Sequence, residues 1–73
     1  MENEFEIKPY TKKELALMYF PDSLPRTAVN HLMQWVRMNP PLREALGRAH
    51  YRPANKTLSK PQVKAIVHFL GEP

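Results

Sequence analysis

Proline cannot donate a backbone hydrogen bond and its ring collides with the preceding helical turn, so its placement dictates where helices can run. This chain has eight prolines in 73 residues, about twice the usual share. Scattered at random, they would leave no room for a helical core. Instead Pro21, Pro25, Pro40, Pro41 and Pro61 fall at the edges of apolar periodic segments, where proline starts or ends helices. The punctuation predicts a folded, all-α domain.

Between these marks the chain spells out four helices. Thr11 and Glu14 form a capping box, flanked by Tyr10 and Leu15 as a hydrophobic staple. Ser59 and Gln62, flanked by Leu58 and Val63, repeat the arrangement. The first helix is expected from Lys12 to Tyr19, and its apolar run Leu15 to Tyr19 predicts burial on several sides at the structural centre. A second, from Pro25 to Met38, gathers Ala28, Val29, Leu32, Met33, Trp35 and Val36 into one arc. A short third helix over Leu42 to Leu46 is expected to end on Gly47 as a left-handed cap, with a loop from Arg48 to Thr57. The fourth, Lys60 to Leu70, turns Val63, Ile66, Val67 and Leu70 inward and places Gly71 at its C-terminal cap. Phe5 and Ile7 alternate with Glu4, Glu6 and Lys8, which predicts a short extended arm able to pair near Lys56 to Leu58. The expected organisation is one domain over 1–73, with an arm at 1–10, a helical core at 11–71, and Leu15, Leu32, Val36, Ile66 and Leu70 buried.

A chain this short buries about 60% of the surface its unfolded form exposes. It has no cysteine, so neither a disulfide nor a thiolate metal site supplements the core. The acidic opening Met1-Glu2-Asn3-Glu4 precedes no long apolar run, which argues against a secretory signal or a membrane span and for a cytoplasmic protein. Charge is unevenly placed. Up to Ser23 three basic residues meet five acidic ones, whereas from Leu24 to Gly71 eight basic residues meet only Glu44. Such a block suits a polyanion, whose condensed counterions are released on neutralisation. It also suits a merely soluble surface.

Catalytic chemistry finds little to work with. Glu14 and Glu44 have capping or surface roles available, and the other carboxylates lie in the first 22 residues or next to the C-terminus. His31, His50 and His68 are too widely spaced for a metal-binding pair, and Ser23 and Ser59 lack a nucleophile-elbow context. No catalytic, cofactor-binding or metal-binding residue is expected, and an enzyme is not.

The polar face of the second helix stands out. Arg26, Asn30, Gln34 and Arg37 recur at spacings of four, four and three, with Thr27 and His31 beside them and no acid among them. Arginine, asparagine and glutamine are the side chains that read guanine and adenine edges bidentately. An ordinary solvated helix mixes glutamate with lysine, although a face that simply meets water fits these residues too. Lys60, Lys64 and His68, with Lys56 upstream, form a second acid-free stripe better matched to phosphates. Trp35, at the edge of the apolar arc, reads as a core anchor rather than a stacking platform.

Thr11-Lys12-Lys13-Glu14-Leu15-Ala16, a turn, and then Arg26-Thr27-Ala28-Val29-Asn30-His31-Leu32 follow the order of a helix-turn-helix. The connection, Phe20 to Leu24, is longer than usual and lacks the customary glycine. Over nearly its whole length the chain also resembles a family of small bacterial proteins, domain-of-unknown-function family 4248. The resemblance rests on Tyr10, Glu14-Leu15-Ala16, Tyr19, Pro21, Pro25, Ala28, Leu32, Trp35-Val36, Pro40, Leu42, Leu46, Tyr51, Pro53, Gln62-Val63 and the closing Leu70-Gly71-Glu72-Pro73. His50 stands where the family pattern has glycine before Tyr51, and Leu58-Ser59-Lys60 replaces a Phe-Thr-Pro run. The family implies a stand-alone protein and brings no activity with it.

The expectation is therefore a four-helix, all-α domain with a helix-turn-helix-like first pair and an N-terminal arm. Its expected role is that of a DNA-binding module with regulatory scope, reading duplex DNA through Arg26, Thr27, Asn30, His31, Gln34 and Arg37 and holding backbone through Lys56, Lys60 and Lys64. The alternative is a protein-interaction module or homodimer in which Trp35, Met33 or Met38 and the Gly-Glu-Pro tail meet a partner. Neither reading involves a membrane, a cofactor or a small-molecule substrate.

Overall fold

A computed structural model describes residues 5–73. Among them are four helices and two short strands in the order β1 (Tyr10–Thr11), α1 (Lys12–Tyr19), α2 (Pro25–Arg37), α3 (Pro40–Arg48), β2 (Thr57–Leu58) and α4 (Lys60–Leu70). Fold class and helix number match the expectation. So do both ends of α1 and of α4, because capping chemistry marks their starts and Pro21 or Gly71 follows their ends.

Both strands lead directly into capped helices. Tyr10 pairs with Leu58 and Thr11 with Thr57 in an antiparallel ladder, and the Lys12 N–H donates to the Lys56 carbonyl at 2.8 Å. At α1, Thr11 Oγ1 accepts from the Glu14 N–H while Glu14 Oε1 accepts from the Thr11 N–H, both at 2.9 Å. Ahead of α4, the Ser59 N–H donates to Gln62 Oε1 at 3.0 Å. The arm thus pairs where expected, but through Tyr10 and Thr11. The alternating residues Phe5 to Lys8 form no ladder, although Phe5 stacks on Tyr10. Glu4 and the rest of 1–4 lie outside the described residues.

Leu15, Leu32, Leu42, Leu46, Leu58, Val63 and Ile66 are fully buried, so α1, α2, α3, α4 and β2 all feed one core. Consecutive helices pack together: α1 on α2, α2 on α3, α3 on α4.

Five expectations are corrected. The second helix ends at Arg37, with Met38 as its cap. α1 is not enclosed: Leu15 and Ala16 are buried and Leu17 and Tyr19 are half-buried, but Met18 is exposed, pointing away from the core. Leu70 is half-buried, lying in the last turn of α4. The third helix is longer, since Pro40 and Pro41 occupy its first turn, where their missing donors cost nothing. Asn39 Oδ1 accepts from the Leu42 N–H at 3.2 Å to cap it. Gly47 therefore lies inside α3, and the left-handed residue is His50, at φ 64°. The Tyr51 N–H donates to the Leu46 carbonyl at 2.9 Å and the His50 N–H to the Gly47 carbonyl at 3.0 Å. Those are the two bonds of a Schellman motif, with His50 in the place glycine usually holds.

Candidate nucleic-acid interface

Ala28, Leu32 and Val36 hold α2 against the core. This fixes the outward direction of the rest at about 100° per residue. Arg26, Thr27, Asn30, His31, Gln34 and Arg37 are all exposed, as are Lys56, Lys60 and Lys64. The polar face of α2 is not one surface, however. Arg26, Asn30 and Arg37 border concavities on one flank of the helix. Thr27 and Gln34 line none of these. His31 lies on the opposite flank, edge-on to Phe20 at 5.3 Å between ring centroids, and Phe20 in turn meets Trp35 at 4.8 Å. Trp35 is 42% exposed, so it belongs to a surface aromatic cluster and does not anchor the core.

Along the first flank, three adjoining concavities make one groove. Lys13, Arg26, Val29 and Asn30 line one end. Lys12, Lys13, Val29, Pro53 and Lys56 line the middle. Lys12, Met33, Arg37, Arg43, Leu46, Gly47, Tyr51 and Pro53 line the other end. Shared walls, Lys13 with Val29 and then Lys12 with Pro53, join the three. Six cations border the groove and, among the described residues, no carboxylate does.

Local contacts hold this wall in place. Lys12 Nζ donates to the Pro53 carbonyl at 2.8 Å and lies 5.0 Å from the Tyr51 ring centroid. The Tyr51 hydroxyl donates to Met33 Sδ at 3.3 Å, which ties the loop after α3 to α2. Among the described residues the one salt bridge is Glu44 to Arg48, at 3.5 Å on the surface. None of the six groove cations is therefore neutralised within the described residues. An incoming anion would not compete for them with a carboxylate of the described residues.

Sequence spacing identified Arg26, Asn30, Arg37 and Lys56 but missed Lys12, Lys13, Arg43 and Tyr51. These come from α1, α3 and the following loop, and no local periodicity links them. Lys60 and Lys64 are exposed as expected but line none of the three concavities. Among the described residues, no three His, Asp or Glu side chains cluster as metal ligands, and no helix is long and apolar enough to cross a membrane.

A protein-family model, described as a domain of unknown function (DUF4248), matches residues 6–73. No curated protein and no solved structure matches the chain.

Proposed function

The chain belongs to the DUF4248 family, and we propose that it is a cytoplasmic nucleic-acid-binding module that lays α2 into the major groove of duplex DNA. One observation carries this reading: the face of α2 that holds Arg26, Asn30 and Arg37 is continuous with Lys12, Lys13, Arg43 and Lys56 and is uninterrupted by any carboxylate of the described residues. In this arrangement Arg26, Asn30 and Gln34 read base edges, with Thr27 and Arg37 beside them, while His31, on the opposite flank, meets Phe20 instead. Lys13 and Lys56 hold the flanking phosphates, and Lys60 and Lys64 add contacts from α4.

The test is a titration of the folded protein against random-sequence duplex at low and moderate salt. Weak binding that falls steeply with salt is expected, with a log–log slope near −3.6 for about four phosphate contacts. On a selected site, Asn30→Ala or Gln34→Ala should alter sequence preference by about 1 to 3 kcal/mol per lost bidentate contact. Lys60→Ala or Lys64→Ala should weaken every duplex alike and reduce the slope by about one each. Absence of binding at low salt removes the DNA reading.

A second reading has its own observation. Leu24 at 74%, Met38 at 72% and Trp35 at 42% exposure leave apolar side chains in water around α2. As a protein-interaction or homodimer surface, it predicts that Trp35→Ala or Met38→Ala abolishes association while the polar stripe stays silent.

A further inference from the structure

Gly47 has no conformational reason to be glycine. It lies within α3 at a φ open to any residue, and a Cβ built on it would meet nothing within 4 Å. Glycine costs up to about 1 kcal/mol relative to alanine in a helix interior, and part of that in the last turn, where Gly47 lies. Among the described residues, no close approach of another chain segment offsets that cost. What Gly47 does instead is leave space: it forms part of the wall of a concavity of about 370 Å³ between α2 and α3.

The concavity has two distinct parts. Its apolar wall is Met33 and the Tyr51 ring, both half-buried, with the buried Val36 and Leu46 behind them. Its rim carries Arg37 and Arg43, both exposed and without a salt-bridge partner among the described residues, together with Lys12. Lys12 is already held against Pro53 and Tyr51, which leaves the two guanidiniums as the free anion donors. Small-molecule sites are usually concavities of about 300 to 1,000 Å³ with mostly apolar walls and a few placed polar groups. Guanidinium groups favour carboxylate and phosphate oxygens through paired hydrogen bonds.

We propose that this pocket binds a small amphipathic anion, an organic carboxylate or phosphate monoester with an apolar body. The body lies against Met33, the Tyr51 ring and the space left by Gly47, and the head lies between Arg37 and Arg43. This inference does not depend on nucleic-acid binding, since the ligand's apolar part is what the pocket selects.

Decanoate, decyl phosphate, decan-1-ol and inorganic phosphate are suitable probes, titrated into the full chain and followed by amide NMR shifts and by melting temperature. Saturable shifts at Met33, Arg37, Leu46, Gly47 and Tyr51 are expected with at least one of the two amphiphilic anions. The tighter of these two identifies the head group. Decan-1-ol and inorganic phosphate should each bind roughly tenfold more weakly or worse, because each lacks one half of the match. Arg37→Gln and Arg43→Gln should each weaken the amphiphile by roughly tenfold. Gly47→Leu should abolish binding while melting at or above the parent temperature, which a glycine required for folding would not do. Should Gly47→Leu fail to fold, the two arginine variants still decide the matter, since both side chains are exposed. No saturable shift with either anion into the millimolar range overturns the proposal. So does equal affinity for inorganic phosphate, or undiminished binding by a folded Gly47→Leu variant.

Discussion

At the residue scale, two side chains carry demands that their neighbours make visible. His50 occupies the left-handed position of the Schellman motif after α3. Histidine is tolerated there, but any Cβ is less comfortable than none. His50→Gly should stabilise the fold by up to about 1 kcal/mol, some of it returned as unfolded-state entropy, and raise the melting temperature by a few degrees. The resemblance to the family pattern had already singled out this position, where glycine is usual, but only the backbone angle explains why. Gln62 is more exacting. It is 4% exposed; its Oε1 accepts from Ser59, and its Nε2 donates to the Ala49 carbonyl at 2.9 Å. A capping box accepts glutamate or glutamine equally, so the sequence pattern could not show that the donor matters. Gln62→Glu keeps the acceptor and turns a buried carboxylate towards a carbonyl. It should cost about 1 to 3 kcal/mol at neutral pH in denaturant unfolding. Such a carboxyl is raised in the folded state, so the loss should shrink as pH falls and the acid regains a proton to donate.

Elements show what local pattern can and cannot carry. α2 was legible because Ala28, Leu32 and Val36 recur at the helical period and are the residues buried. Leu32 is fully buried, and Leu32→Ala should cost about 2 to 5 kcal/mol, much of the stability of so small a domain. A thermal or denaturant melt of that variant matching the parent would refute the placement of this face. α3 was misjudged because Pro40 and Pro41 can end one helix or begin the next, and the Asn39 cap that decides between these is a tertiary outcome of where α2 stops. The polar stripe was legible on the same helical period as the core of α2. Its groove was not, because Lys12, Arg43, Tyr51 and Lys56 reach it from three other parts of the chain.

For the whole molecule, what closes the chain on itself is a contact far apart in sequence. Core packing links α1 to α2, α2 to α3 and α3 to α4. The Tyr19 hydroxyl, at the end of α1, donates to the Gly71 carbonyl just beyond α4, at 2.5 Å, and Tyr19 also meets Trp35 edge-on at 6.2 Å. Gly71 accommodates this ending at φ 87°, a conformation that disfavours any side chain. Burial, reinforced by the nearby Glu72 carboxylate, pushes the Tyr19 hydroxyl from 10.0 up to about 12. The folded state therefore keeps a proton that the unfolded chain releases near its ordinary value. Stability should be insensitive to this group below pH 10 and should decline as pH rises from there towards about 12, since across that window only the unfolded chain is deprotonated. Lysines also titrate in this range, so the comparison must be with Tyr19→Phe. That variant should lose about 0.5 to 1.5 kcal/mol at neutral pH for the missing hydrogen bond. In exchange, it should lack Tyr19's part of the alkaline decline, so denaturation curves of parent and variant should converge as pH climbs through the window. If the gap between them stays constant to the alkaline end, the Tyr19 proton is not what joins the end of α1 to the end of α4.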